Sequence, residues 1–266
     1  MKRSTFLKAS IAGTALPALV PGIASATTAS TQKNPKRQLY ELRTYQLTNA
    51  TQEKIMDDYL EKAAIPALNR LGSKNVGVFK EMKPAGQTKI IVLIPFQSVE
   101  AFMELNDKLL KDANYQSAGA AYINAPATAP AYDRIESSLL YAFAKMPEML
   151  VPENKARIFE LRRYESASEL AGQTKIKVFN DEGEIDIFKS VGLTPVFFGE
   201  TLIGGLRPNL TYMLTYDDMA AHDRNWKKFG GDPRWQKIKS VPAYADAQIV
   251  SHITAQFLLP TAYSQV

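Results

Sequence analysis

The chain has 266 residues, 45% of them hydrophobic and 22% charged, an ordinary globular composition with enough apolar material for a core. Its formal net charge of +5 is concentrated at the start, where Lys2, Arg3 and Lys8 have no acidic counterpart; without residues 1–26 the charge is 5 − 3 = +2. That balance, with no Lys/Arg-rich run, excludes a nucleic-acid-binding footprint, and the absence of cysteine excludes disulfides, thiolate metal sites and cysteine nucleophiles.

In chain order, the early basic residues precede a weakly apolar run from Ala9 to Val20, and Ala24-Ser25-Ala26 offers small residues for cleavage, so residues 1–26 read as a signal peptide. Arg3-Ser4-Thr5-Phe6-Leu7-Lys8 is similar to a twin-arginine export signal, with serine in place of the second arginine. Pro17, Pro21 and Gly22 interrupt the run, which falls short of the roughly 20 apolar residues that span a bilayer. An exported, periplasmic protein with no stable membrane span after cleavage is the expectation. Residues 27–37 are small and polar, as in a flexible leader.

From Gln38 the pattern becomes regular. A strand near 38–47 alternates with period two, and a helix near 51–71 carries Met56, Tyr59, Leu60, Ala63 and Leu68 at helical spacing before Gly72. Strands follow at 76–83 and 88–96, then a helix from about 98 capped by Ser98, a short helical piece capped by Asp112, and a strand near 136–144. A second set repeats the order. Phe159-Glu160-Leu161-Arg162-Arg163-Tyr164 matches Tyr40-Glu41-Leu42-Arg43-Thr44-Tyr45, Phe198-Gly199-Glu200 matches Phe79-Lys80-Glu81, and Asp232-Pro233-Arg234-Trp235 matches Asp112-Ala113-Asn114-Tyr115, at offsets of 119 to 120. Ser166-x-x-Glu169 reads as a capping box opening the second copy's first helix, which Gly192 closes.

The order is therefore β-α-β-β-α-β twice: one ferredoxin-like unit over 38–145, a proline-marked linker over 146–155, and a second unit over 156–266. The fold class is α+β. Two half-covered sheets in one chain are best buried face to face, so the expected architecture is two tandem units packed as one pseudo-dimeric α/β barrel. On that reading Tyr40, Leu42, Phe159 and Leu161 pack under the helices, while Glu41, Arg43, Tyr45, Glu160, Arg162 and Tyr164 point into the shared interior. Charges withdrawn from water need partners or a ligand, so this row is either a self-satisfied network that sets sheet register or a polar pocket.

Together "YELRTY", "IFELRRYES", the run from Pro195 to Phe229 and "DPRW" resemble the NIPSNAP family over nearly all of residues 38–266. The resemblance implies the tandem ferredoxin-like barrel, often with further association between chains into a homo-oligomer. It implies no settled activity. Barrels of related architecture include cofactor-free oxygenases, haem-degrading enzymes and stress-response domains, so function has to come from the site.

The candidate ligand-binding residues are Glu160, Arg162, Tyr164, Glu200 and Tyr212, with Glu41, Arg43, Tyr45 and Glu81 as structural or pseudo-equivalent positions. Glu200, near Phe197 and Phe198, could serve as an acid or base, or simply pair with Arg162 or Arg207. The two histidines, His222 and His252, are thirty positions apart and the first unit has none, so no symmetric haem or metal site is possible and none is expected. Trp226, Phe229 and Trp235 read as core packing. No phosphate-binding glycine loop and no G-x-S-x-G elbow is present, and no cofactor is expected.

Two functions remain open: binding of a small aromatic or carbonyl-bearing molecule, with a cofactor-independent oxygenase or isomerase as its catalytic form, or a non-catalytic binding and assembly module. If the pocket is functional, Tyr212→Phe and Arg162→Met are expected to weaken binding with the melting temperature almost unchanged.

Overall fold

The computed structural model describes residues 36–266; the predicted signal peptide and nearly all of the leader lie outside the described residues. The first half contains strands β1 (Leu39–Leu47), β2 (Gly77–Glu81), β3 (Thr88–Phe96) and β4 (Arg134–Ala142). Its helices are α1 (Ala50–Tyr59), running through a π-helical stretch at Leu60–Ala64 into α2 (Ile65–Arg70), then α3 (Val99–Met103), α4 (Leu105–Leu109), α5 (Ala113–Ala118) and α6 (Ala120–Ile123). The second half repeats this with β5 (Ile158–Glu165), α7 (Glu169–Asn180), α8 (Glu184–Val191), β6 (Thr194–Ile203), β7 (Asn209–Tyr216), α9 (Met219–Gly231), α10 (Pro233–Lys239), α11 (Asp246–Ile249) and β8 (His252–Pro260).

The caps explain most boundaries. Ser98, Asp112, Asp218 and Asp232 each accept a hydrogen bond from a backbone N–H in the first turn of the helix they precede. Gly72 and Gly192 follow their helices with φ of 97° and 88°, a conformation that costs glycine little. The expected capping box is not formed. Ser168 caps α7 by accepting from the Ala171 N–H, while the Ser166 hydroxyl donates 2.7 Å to the Ile249 carbonyl and ties the strand end to α11. Ser168→Ala is therefore expected to lower the unfolding free energy by about 1 kcal/mol in urea denaturation, the usual worth of a serine N-cap.

The eight strands close into one antiparallel barrel in the order β1-β3-β2-β8-β5-β7-β6-β4. Each half contributes four neighbouring strands, β4-β1-β3-β2 and β8-β5-β7-β6, and short seams join them: β2 meets β8 over Phe79–Glu81, and β4 meets β6 over Leu139–Ala142. This is the predicted pair of ferredoxin-like units in a single α/β barrel. Strands such as Ile90-Ile91-Val92-Leu93-Ile94 are buried throughout because helices cover one face and the barrel lumen the other.

The faces are the reverse of the expectation. Tyr40, Phe79, Leu93, Phe159, Phe197 and Met213 form the lumen core, with Leu42 and Leu161 packed against it. Tyr45 belongs instead to the core under the first unit's helices, and Tyr164, Tyr212 and Tyr216 to the core under the second unit's. Alternation places Glu41 and Arg43 beside Tyr45, and Glu160 and Arg162 beside Tyr164, so the charged rows lie between sheet and helices. An eight-stranded barrel is just wide enough to be filled by side chains. Two opposed Glu/Arg/Tyr rows would crowd its axis, whereas under the helices each row has its own polar partners.

Candidate functional site

In the second unit Glu160, on β5, is only 1% exposed, yet it is surrounded by donors. Its carboxylate forms an ion pair with the Arg162 guanidinium and accepts hydrogen bonds from the Tyr216 hydroxyl at 2.8 Å and the Trp226 indole N–H at 3.2 Å. Trp226 also donates to the Tyr216 oxygen at 2.9 Å. His222 Nε2 lies 3.5 Å from Glu160 Oε2, and Nδ1 lies 2.8 Å from Asp223 Oδ1. His222 and Trp226 are four residues apart on α9, hence on one helix face, and Asp218 sets where that helix begins. Burial, then the Glu160 charge, pushes the Tyr216 hydroxyl far above its ordinary pKa, so it stays a neutral donor.

Arg162 extends the row. Its NH2 donates to the Tyr164 hydroxyl at 3.3 Å, and its guanidinium lies 4.7 Å from the centroid of the Trp226 ring, a cation–π contact. Burial works to lower the Arg162 pKa, but Tyr212, Tyr164 and Glu160 outweigh it and hold the group above its ordinary value, a permanent cation. Its Nε is buried with no hydrogen-bond partner among the described residues. Farther in, Tyr212 donates to Tyr164 at 3.1 Å and stacks on Phe198 with centroids 4.8 Å apart. That end is solid: Tyr212 is fully buried against Phe179 and Phe188.

The other end reaches an opening. A groove of about 380 Å³ is lined by Glu81, Met82, Lys83, Met219, Ala255, Gln256 and Phe257. Ala255 and Phe257 are the β8 register partners of Arg162 and Glu160 and share their face, and the His222 ring meets Phe257 edge-on at 5.1 Å. The groove therefore borders the Glu160, Arg162 and His222 cluster.

Of the five predicted ligand-binding residues, Glu160, Arg162, Tyr164 and Tyr212 come together, on the helix side of the sheet. Glu200 does not join them: its carboxylate accepts from Gln173 on α7 at 2.6 Å, at an exposed edge, and pairs with neither Arg162 nor Arg207. The expected equivalence of Glu81 and Glu200 also fails. Register places Phe198 opposite Tyr212 as Val78 is opposite Val92, so Glu200 occupies the position of Lys80, which reaches Glu53 and Asp57 on α1. The irregularity between Pro195 and Phe197 shifts the count by one. Glu81 consequently faces the lumen, 3.6 Å from Lys89 Nζ.

In the first unit Arg43 pairs with Glu41 at 2.6 Å and reaches Tyr45 at 3.5 Å, and the Ser137 hydroxyl donates to Glu41 at 2.7 Å. Register shows what this copy lacks. Val92 stands opposite Arg43 where Tyr212 stands opposite Arg162, and Phe96 stands opposite Leu39 where Tyr216 stands opposite Ile158. The sequence reading missed Tyr216 and His222 as partners of Glu160 and counted Trp226 as packing alone. The i, i+4 spacing of His222 and Trp226, and the exchange of Phe96 for Tyr216 between the repeats, were the available signals. Phe229 and Trp235 do pack, with centroids 4.7 Å apart.

Two bacterial proteins each described as a "putative monooxygenase" share the architecture. One, from Lactobacillus acidophilus NCFM, is 7% identical and aligns 84% of this chain with 94% of its own at a TM-score of 0.57. The other, from Fusobacterium nucleatum, is 6% identical and aligns 85% with 93% at 0.53. Identities this low show the fold alone. A NIPSNAP family protein from Agrobacterium tumefaciens, 24% identical, matches 41% of this chain over 96% of its own length, with a TM-score of 0.36. A search of curated proteins finds no match. The NIPSNAP family model matches residues 40–146 and again 159–265, so both halves of the barrel carry the same domain and the chain belongs to the NIPSNAP family.

Proposed function

We propose that the second unit binds a small aromatic or carbonyl-bearing molecule in the groove beside Glu160, Arg162 and His222, and that these groups perform acid–base chemistry on it of the kind a cofactor-independent oxygenase or isomerase requires. The observation that carries this reading is the difference between the two repeats. A Glu/Arg pair suffices to hold sheet register in the first unit, which keeps Phe96 and Val92 beside it. The second unit replaces these with Tyr216 and Tyr212 and adds His222 and Trp226, burying polar groups that register alone does not call for. In the proposed complex the Arg162 Nε–H, which has no other partner among the described residues, hydrogen-bonds a carbonyl or phenolate oxygen, the Tyr216 hydroxyl holds Glu160 in place, and Glu160 or His222 accepts a proton from the adjoining carbon or hydroxyl. Phe257 supplies an aromatic wall.

The Arg43–Glu41 pair favours a second reading for the ion pair itself, a structural role common to both units. The two part on one measurement, titration of tryptophan fluorescence with 4-hydroxyacetophenone. Saturable quenching that Tyr216→Phe weakens by roughly ten- to a hundredfold, the worth of one hydrogen bond to a charged group, supports the binding site. No binding, together with concentration-dependent oligomers in native mass spectrometry, supports an assembly module. The proposed setting is the periplasm, resting on the sequence of residues 1–26, and the mass of the mature chain in that fraction tests it.

A further inference from the structure

Sheet alternation leaves the barrel lumen with a set of side chains largely its own; Gln256 alone lines both the lumen cavity and the groove beside Glu160. One end is filled by Tyr40, Phe79, Phe159, Phe197, Met213 and Leu258. The other end holds a cavity of about 310 Å³, at the small end of the range for ligand sites, with Leu42 and Leu161 as its floor and Thr211, Thr254, Lys89 and Arg163 in its walls.

Its charged groups are loosely held. Arg163 Nε lies 3.3 Å from Glu165 Oε1 and its NH2 3.5 Å from the Thr254 hydroxyl, long contacts for a guanidinium that offers five donors. Lys89 has its nearest carboxylate, Glu81 Oε1, at 3.6 Å, beyond hydrogen-bond reach. So one wall region offers spare cationic donors, and Glu136, which accepts from Gln46 at 3.1 Å, offers a carboxylate acceptor in the same cavity.

We propose that this polar end of the lumen is a second ligand site, specific for a small carboxylate that carries a hydrogen-bond donor on the neighbouring carbon, the chemistry shared by α-hydroxy and α-amino acids. The ligand carboxylate bridges Arg163 and Lys89, for which the planar guanidinium fork is well shaped. The adjacent hydroxyl or ammonium donates to Glu136, the carboxylate that lines the same cavity, and the side chain rests on Leu42 and Leu161. Both halves of the chain contribute, Lys89 from β3 and Arg163 from β5. Thr44 occupies the position in the first repeat that Arg163 occupies in the second, so the site is asymmetric and holds one ligand per chain.

Neighbouring arginines make the test clean, because Arg162 and Arg163 lie on opposite faces of one strand. Calorimetric titration with L-lactate, L-alanine and propionate is expected to show one site per chain for lactate or alanine, whichever donor the site prefers, and binding of propionate at least about tenfold weaker. Arg163→Met is expected to reduce that affinity at least about tenfold while leaving the melting temperature and the 4-hydroxyacetophenone titration unchanged. If Arg163→Met fails to fold, Lys89→Met and Thr211→Val carry the same expectation. Three results overturn the proposal: no heat from lactate or alanine up to about 50 mM, propionate binding as well as both, or lactate or alanine binding that survives the lumen substitutions.

Discussion

Replacing Lys175 by methionine is expected to destabilise the protein by about 3–5 kcal/mol at neutral pH, the usual cost of removing one partner from a buried ion pair. Lys175 sits on α7 with its side chain 1% exposed, 3.2 Å from Glu184 Oε2 on α8 and 3.2 Å from Asp246 Oδ1 on α11. Its ammonium also lies over the Phe179 ring at 4.9 Å. Burial lowers the Lys175 pKa, but Glu184 and then Asp246 more than reverse this, so the folded-state value is raised. A lysine of this kind stabilises the fold fully below its unfolded pKa of about 10.4 and loses that contribution as pH rises through the higher folded value. On the alkaline side, the difference between wild type and Lys175→Met should therefore narrow only in strong alkali.

At the acidic end Glu184 decides the outcome. Burial pushes its carboxyl up, and removing Lys175 takes away the strongest opposing charge, so the upward shift is larger in the variant. A raised carboxyl contributes most below the unfolded value of about 4.3 and loses that contribution as pH rises, which makes the deficit of Lys175→Met smaller at pH 4 than at pH 7. The first unit has already solved the same packing problem without charge: Met56 follows its cap Asn49 by the interval at which Lys175 follows Ser168, and it is fully buried. Lys175→Met combined with Glu184→Leu is accordingly expected to recover most of the loss. Urea denaturation of wild type, single and double variants at pH 4, 7 and 10.5 checks all of this. A single variant as stable as wild type at pH 7 would remove the pair from any account of the fold.

Arg162→Met is expected to cost about 3 kcal/mol and also to abolish the 4-hydroxyacetophenone titration. This expected cost replaces the expectation from sequence that melting would be almost unchanged. That expectation assumed a roomy polar interior, whereas Glu160 is 1% exposed and would be left as a buried carboxylate short of its counter-ion. It keeps Tyr216, Trp226 and His222 around it, which holds the cost at the lower end of the range. Arg43→Met is the control that the repeat provides. It strands Glu41 in the same strand position of the first unit and is expected to lower stability with no effect on binding. Thermal melts and fluorescence titrations of the two variants separate the roles: stability lost in both and binding in neither would make both rows structural.

The repeat itself was legible because strand and helix periods constrain which residue types recur and at what interval. Caps at Ser98, Asp112, Asp218 and Asp232, and the stops at Gly72 and Gly192, are local chemistry and fell where the letters placed them. Ser166 misled because its hydroxyl is engaged by a carbonyl 83 positions away, which no local rule can see. Glu81 and Glu200 looked equivalent by count, yet one irregularity in β6 turned them to opposite faces of the sheet.

By itself, the amino-acid order determined that two homologous βαββαβ units make this protein and that Glu160, Arg162 and Tyr164 share one side of a strand. Tertiary structure alone decided which side that is. Period-two alternation is symmetric between the faces of a sheet, so nothing in β5 distinguishes the lumen from the space under α7 and α9. The choice is made by volume and by partners: the narrow barrel axis takes the large apolar rings of Tyr40, Phe79 and Phe159, and the helices add His222 and Trp226 to the carboxylate that Arg162 and Tyr216 already partner.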